Sequence, residues 1–272
     1  MTWEKLISFS LEVAIRYFVI AGLAFLIFYV LFSKKLDGRK IQSKKQKVSD
    51  YRRDVFYSII AILIFGAQPV IFLENDAIRP YTTLYTDISQ YGWVYFFLAF
   101  PIMFFLHDTY FYWTHRIMHH PKLFKWFHLI HHKTTNPSPW TAYAFHPLEA
   151  LVESGIFIIF IFCMPVHVAH LSVFFFLMFV YNVYGHLGYE LYPAGLHKTK
   201  IGKWVNTSVA HNQHHQFFTG NYGLYFLFWD RWMGTLRPNY DEKFESRAVK
   251  VQEQDPIISE QEIAEPIIAH EK

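Results

Sequence analysis

The amino-acid sequence predicts an all-α integral membrane protein with four to five transmembrane helices. Only 17% of its 272 residues are charged, whereas soluble domains carry about 25%. The deficit is concentrated in long stretches without Asp, Glu, Lys or Arg, and a helix needs about 20 apolar residues to cross a bilayer. Those stretches are residues 17–33, 55–73, 91–106 and 154–189.

The four stretches suggest where each span lies. The first two fit one helix each, and the third is short but continues as a helix into the residues from His107 onward. The fourth is too long for one helix and is interrupted by Pro165. It therefore predicts two spans, at about residues 150–164 and 168–185.

Basic residues predict the orientation of these spans. Residues 34–53 carry nine Lys and Arg against two acidic residues, whereas residues 74–90 carry one Arg against three. Positive charge in short loops stays on the cytoplasmic side. Threading the chain through its spans then places the residues after 107 and after 186 in a cytoplasmic helical cap. The membrane would be a bacterial inner membrane, which we favour, or the endoplasmic reticulum.

Three patterned histidine clusters lie in the segments assigned to this cap. Within each cluster the spacing is i, i+3 or i, i+4, which places the imidazoles on one face of a helix. Neutral imidazole is the commonest protein ligand of transition metals. Eight such donors exceed what one ion can use, so the pattern predicts a His-rich di-metal site. The clusters are His115 with His119, then His128, His131 and His132, then His211, His214 and His215.

The remaining composition excludes other classes of site. A single cysteine, Cys163, rules out a disulfide framework and a cysteine-ligated cluster. The net charge of +3 comes largely from residues 34–53, which indicates a membrane surface and no nucleic-acid partner. We divide the chain into N-terminal transmembrane helices with a basic loop (1–90), a catalytic domain (91–240) and a polar C-terminal tail without chemistry (241–272).

The clusters also resemble a known family. The sequences HRIMHH, HLIHH and HNQHH are similar to the histidine boxes HX3H, HX2HH and HX2HH of the fatty acid hydroxylase/sterol desaturase superfamily. The resemblance covers about residues 93–236, and further segments in the same order support it. These are Tyr112-Trp113, His146-Pro147-Leu148-Glu149, His186-Leu187-Gly188-Tyr189, Asn221-Tyr222-Gly223, Trp229-Asp230-Arg231 and Gly234-Thr235.

The resemblance implies an O2-dependent di-iron membrane oxygenase. Two iron ions held by the box histidines would hydroxylate a lipid, or less readily desaturate it. The substrate would be a sterol, fatty acyl, alkylglycerol or carotenoid lipid. The family often has an additional histidine ligand, for which His186 is the candidate. Family members with a further histidine four residues later correspond to Glu190 here, which would either coordinate iron or cap the site.

Several other polar residues are candidates for supporting roles. A ligating histidine usually donates its second N–H to a carboxylate or carbonyl, which makes Asp108, Glu149 and Asp230 candidate partners. His107 precedes His115 by eight residues, which is about 12 Å along a helix. At that distance His107 cannot bind the ion that the first cluster holds. It would line the substrate channel with Asp108 or form an inward hydrogen bond. His146 would contact the site, gate the substrate or serve the fold alone.

Electrons must come from outside the chain. The sequence has no GxGxxG motif after a strand, no CxxCH haem attachment and no cysteine set. We therefore expect a separate donor, a reductase with a cytochrome or ferredoxin. The alternatives are a metal transporter, which would place its ligands near the membrane midplane, and a non-catalytic metal-binding or haem-binding protein. A zinc hydrolase would need an HExxH-type base, which is absent.

Overall fold

The computed structural model describes residues 3–249, and nearly all of its regular structure is helical. Helix α1 continues into a π-helical turn, Leu26–Leu31, and the two strands are only two residues long. In chain order the elements are α1 Trp3–Phe25, α2 Val48–Phe72, β1 Leu84–Tyr85, α3 Gly92–Met118, α4 Pro121–Phe127, α5 Leu129–His132, α6 Pro147–Cys163, β2 Val166–His167, α7 Val168–Gly185, α8 Ser208–Phe217, α9 Phe228–Trp232 and α10 Tyr240–Arg247.

Four helices are long and apolar enough to cross a membrane. They are Trp3–Leu31, Val48–Phe72, Gly92–Met118 and Val168–Gly185. Helix α6 has 17 residues, at the lower limit for a span, and packs against α2 and α3. The predicted all-α membrane architecture of four to five spans is confirmed. As predicted, α3 runs without a break into the first histidine cluster, and Pro165 separates α6 from α7.

The two ends of this helical bundle carry different parts of the chain. At one end, β1 pairs with β2 in parallel, which joins the loop before α3 to the turn between α6 and α7. At the other end, Lys40 forms a backbone bridge with Tyr189, and the Gln42 amide donates to Asn212 Oδ1 at 2.7 Å. The basic segment 34–53 and all three histidine clusters therefore share one end of the molecule.

The segment that follows the second histidine cluster enters the bundle and is buried there. Its 3-10 turn, Pro139–Tyr143, packs against α1, α2 and α7. Buried backbone and hydroxyl groups need partners in such a place. Asp54 on α2 supplies one, because its carboxylate accepts hydrogen bonds from the hydroxyls of Thr134 and Thr141, each at 2.8 Å. Tyr17 on α1 supplies another by donating to the Trp140 carbonyl at 2.9 Å.

The beginning of the predicted polar tail is ordered. Helix α10 covers its first residues and buries Phe244 against Val209 of α8 and Tyr240. Residues 250–272, the rest of that segment, lie outside the described residues.

We expect Gly66→Ala to destabilise the bundle. A Cβ at Gly66 would lie 2.8 Å from the Cα of Ser10, where α1 and α2 are in close contact, so the helices would have to separate. Overpacking of this kind costs about 1–3 kcal/mol of unfolding free energy. Thermal unfolding in detergent should show a lower midpoint. Gly38→Ala is the matched control, since a Cβ there meets nothing within 4 Å. Equal midpoints for the two variants would contradict the close approach.

Candidate metal centre

The three histidine clusters meet beyond the membrane ends of α3 and α7. The first lies on the last turn of α3, the second at the junction of α4 and α5, and the third on α8. His186 follows the last residue of α7. All of these imidazoles are buried except His119, which is partly buried.

The nine predicted metal-binding histidines form two groups. Within each group, one ring nitrogen from every residue lies within 4.8 Å of the others. A set of neutral nitrogen donors at this spacing is compatible with metal binding. The first group is His115, His119, His128, His132 and His214, and the second is His131, His186, His211 and His215.

The groups do not follow the sequence clusters. His131 and His132 are neighbours in the chain but belong to different groups, and the same is true of His214 and His215. Rows of imidazoles on one helical face can surround two ions, and the second and third clusters each contribute to both groups. Neighbouring residues of one helical turn therefore tie the groups together.

The facing nitrogens are spaced as ligands of a common ion would be. In the first group His115 Nε2 lies 2.9 Å from His128 Nε2, and His132 Nε2 lies 2.9 Å from His214 Nε2. In the second, His186 Nε2 lies 3.0 Å from His211 Nε2. Two nitrogens bound at right angles with bonds of about 2.1 Å are about 3.0 Å apart. The donor set therefore fits a metal ion in each group.

Hydrogen bonds at the opposite ring nitrogen orient five of these imidazoles. His128 Nδ1 lies 2.6 Å from Glu149 Oε1, and four others bond to backbone carbonyls. A proton on Nδ1 leaves the Nε2 lone pair directed into the group, as a metal ligand requires. The carbonyl partners are Tyr222 for His115, Asn182 for His186, Gly220 for His214 and Thr134 for His215.

The surroundings keep the rings neutral. Burial lowers the pKa of His186 to about 4. Burial, followed by repulsion from neighbouring imidazoles, lowers the pKa of His131, His211 and His215 well below the ordinary value for histidine. Only the neutral ring can donate its lone pair to a metal. At neutral pH the second group thus offers four neutral donors.

The three candidate carboxylates differ in what they touch. Glu149 contacts a ring directly. Asp230 accepts from the backbone N–H groups of Tyr222 and Gly223 at 2.9 and 2.8 Å, and so positions the carbonyl that accepts from His115. Asp108 binds the same loop a few residues later, where it accepts a hydrogen bond from the N–H of Tyr225 at 2.6 Å. Two of the three therefore act through a loop rather than on an imidazole.

Glu190 lies outside both groups. Its carboxylate accepts hydrogen bonds from the Tyr184 hydroxyl at 2.6 Å and from three backbone N–H groups, those of residues 191, 192 and 209. These partners connect the end of α7 to the start of α8, which carries the third cluster. Of the two roles open to Glu190, the contacts favour that of a structural cap.

His107 and His146 also lie apart from the groups. His107 Nδ1 is 2.9 Å from the Tyr225 hydroxyl, and the same ring lines a cavity between the helices. His107 thus makes the inward hydrogen bond and borders the cavity, whereas Asp108, predicted to line a substrate channel with it, is not among the lining residues. His146 caps α6, because its Nδ1 accepts from the Leu148 N–H at 3.3 Å.

The cavity lies beside the second group. It has a volume of about 210 Å³ and is lined by residues of α1, α2, α3, α6 and α7. Phe145, on its wall, has its ring 5.2 Å from that of His131, centre to centre. Asn182, also on the wall, is the residue whose carbonyl accepts from His186. A ligand in the cavity would thus lie close to the imidazoles.

The sequence did not predict most of the hydrogen-bond acceptors that orient the imidazole rings. Thr134, Gly220 and Tyr222 act through backbone carbonyls, which any residue type supplies, so no sequence signal marks them. Asn182 was predictable, since the carbonyl four residues before His186 faces it at the end of a helix. The supporting role of Asp54 behind Thr134 also carried no signal.

Residues 100–235 match the family model for Fatty acid hydroxylase. The chain belongs to this family. It is 31% identical over 215 residues to a Delta(7)-sterol 5(6)-desaturase of Gibberella zeae, covering 79% of this chain and 63% of that protein, a little less than two thirds. It is also 31% identical over 239 residues to the lathosterol oxidase of Mus musculus, covering 87% and 75%, and 32% identical over 226 residues to that of Homo sapiens, covering 82% and 71%. No solved structure matches it significantly.

The metal-free protein should lose stability in mild acid. His186 stays neutral when folded down to about pH 4, whereas an unfolded histidine binds a proton below about pH 6.5. The unfolded state therefore binds more protons in this window, and stability falls as the pH drops from about 6.5 towards 4. Each such histidine contributes about 1.4 kcal/mol per pH unit there.

Chelator-treated protein in detergent would be unfolded thermally between pH 8 and pH 5. His186→Gln should reduce the dependence of the midpoint on pH. His120→Gln should leave it unchanged, because His120 is exposed and lies outside both groups. An unchanged slope in His186→Gln would contradict the burial argument.

Proposed function

We propose that this chain is a membrane-bound di-iron oxidoreductase that uses O2 to oxidise a lipid by desaturation or hydroxylation. The observation that carries the proposal is the pair of histidine groups placed beside a cavity that is lined by residues of five helices. The family match and the sterol-oxidising relatives support the same reaction class. A metal transporter would place its ligands within the membrane, whereas both groups lie at one end of the spans.

The donor set fits two iron ions, one in each histidine group. Bound iron together with O2 would supply an oxidant able to break an unactivated C–H bond, which acid–base chemistry of side chains does not achieve. We propose the first iron to be held by five histidines and the second by four. They are His115, His119, His128, His132 and His214 for the first, and His131, His186, His211 and His215 for the second.

The protein's own residues orient the imidazole rings and exclude water from the cavity. Glu149 fixes the ring of His128, and the loop held by Asp108 and Asp230 fixes His115. The aromatic rings of Phe111 and Phe145 line the cavity between the lipid and the imidazoles. Such rings would keep water away from the reacting carbon.

The relatives favour a sterol substrate. Two are named lathosterol oxidases and one is a Delta(7)-sterol 5(6)-desaturase. This supports desaturation ahead of hydroxylation, the reverse of the order that we expected from sequence. Fatty acyl and alkylglycerol lipids are the other substrates that we consider.

We propose the cytoplasmic face of the endoplasmic reticulum as the location. The relatives described above come from a fungus and from mammals and give no support to the bacterial membrane that we favoured from sequence. The basic segment 34–53 lies at the same end as the histidines, which agrees with a cytoplasmic centre. A separate reductase with a cytochrome or ferredoxin would supply the electrons.

Purified protein should contain about two irons per chain by elemental analysis. His131→Ala and His214→Ala each remove a central ligand from a different group, so both should lose metal and turnover. His120→Ala is the control, being exposed and outside both groups, and should retain both properties. Full iron content with full turnover in either ligand variant would exclude the di-iron proposal.

Lipid profiling tests the reaction itself. A deletion strain should lack an unsaturated or hydroxylated lipid that returns on complementation with the wild-type chain and not with His214→Ala. Under ¹⁸O2, hydroxylation would introduce labelled oxygen into the product, whereas desaturation would leave it unlabelled. A lipid profile unaffected by the deletion would contradict the proposal.

A further inference from the structure

The cavity beside the histidines contains a carboxylate without a protein partner. Glu153 on α6 lines this cavity. No hydrogen-bond donor or cation among residues 3–249 is paired with its carboxylate. Carboxyl groups in apolar surroundings are normally hydrogen-bonded, because an unpaired polar group there is unfavourable. A lone acceptor in this position indicates a ligand that brings its own donor.

Neighbouring polar groups are already engaged. Arg16 is the one cation on the cavity wall within the described part of the chain, and it pairs with Glu12 at 2.7 Å. The Tyr110 hydroxyl, close to Glu153, donates to the Val152 carbonyl at 2.6 Å. The missing donor is therefore not supplied from this wall.

The position of Glu153 on α6 indicates how far a bound ligand would lie from the metal centre. Glu153 follows Glu149 by four residues on α6, about 6 Å along the helix axis. The Glu149 carboxylate is the one in contact with His128. A group bound to Glu153 would thus lie about one helical turn from that contact. The carbon atoms nearest that group would be the ones within reach of the centre.

The rest of the cavity leads away from the centre. Along α7 its lining runs from Asn182 to Val168, fourteen residues or about 21 Å. A second unpartnered acceptor, Gln68 Oε1, lies on the wall contributed by α2, and Gln68 is only 7% exposed. A long, mainly apolar molecule with a polar group at the Glu153 end fits this shape.

We propose that the cavity binds a lipid alcohol of the sterol type, and that Glu153 accepts a hydrogen bond from its hydroxyl group. This inference rests on the proposed function and adds the residue that binds the hydroxyl group. The carboxylate of a free fatty acid has no hydrogen-bond donor, so it cannot supply the bond that the Glu153 carboxyl oxygen lacks. The carbon oxidised would lie a few bonds from the hydroxyl.

The test measures binding to the purified, iron-loaded full chain in detergent. The probes are lathosterol and 1-hexadecanol, the O-methyl ether of each, and hexadecanoate. Wild-type protein should bind lathosterol about 10-fold more tightly than its ether, since the ether cannot donate a hydrogen bond to the carboxyl oxygen. Hexadecanoate should bind more weakly than hexadecanol.

Two variants of Glu153 make the test specific. Glu153→Leu should remove the preference for alcohol over ether, and Glu153→Gln should retain part of it, because the amide oxygen still accepts a hydrogen bond. Gln68→Leu, at the other unpartnered acceptor, is the matched control and should keep the preference. Iron content and melting temperature of each variant would show that the fold is intact.

Four outcomes would overturn the proposal: absence of alcohol binding, equal binding of alcohol and ether by the wild type, an unchanged preference in Glu153→Leu, or loss of preference in Gln68→Leu alone. Oxidation measured in parallel separates this inference from the proposed function. Turnover without alcohol preference would refute the role of Glu153 alone, whereas alcohol preference without O2-dependent oxidation would refute the proposed reaction alone.

Discussion

Nine imidazoles, eight buried and one partly buried, have ring nitrogens that face one another, and the rest of the structure depends on them. Nitrogens such as those of His115 and His128 lie 2.9 Å apart, a distance at which two neutral lone pairs repel unless a cation lies between them. The surroundings must hold the rings in place and keep them neutral. Burial keeps the rings neutral, and hydrogen bonds at Nδ1 hold many of them in place.

Those hydrogen bonds come largely from loops, and the loops are held by aspartates. Asp230 and Asp108 bind the backbone of residues 222–226, which positions the partner of His115. Asp54 binds Thr134, whose carbonyl accepts from the ring of His215. Buried carboxylates in this protein therefore act mostly one step away from the imidazoles, and Glu149 is the exception. Loss of any of these aspartates would release a loop as well as a ring.

The membrane helices connect this centre to the lipid phase. Helix α3 carries His107 on the cavity wall and His115 in the first group, two turns apart on one continuous helix. The cavity therefore ends where the imidazoles begin. Glu153, on α6, is a carboxylate without a partner among the described residues of this mainly apolar wall, and that is why we assign it the hydroxyl of the substrate.

The class of protein and the set of histidines were predictable from the sequence. Long uncharged stretches indicate helices in a bilayer, and imidazoles at i, i+3 and i+4 indicate a common helical turn. Both patterns lie within short segments of the chain, so they can be recognised without knowledge of the fold. The division of the histidines between the two groups depends on the folded chain, because His131 and His132 diverge to groups completed by residues about eighty positions away. The role of the backbone carbonyls of Thr134, Gly220 and Tyr222 also depends on the fold. Every residue type has a backbone oxygen, so the sequence does not mark these three as acceptors. Their roles follow from where the loops fold.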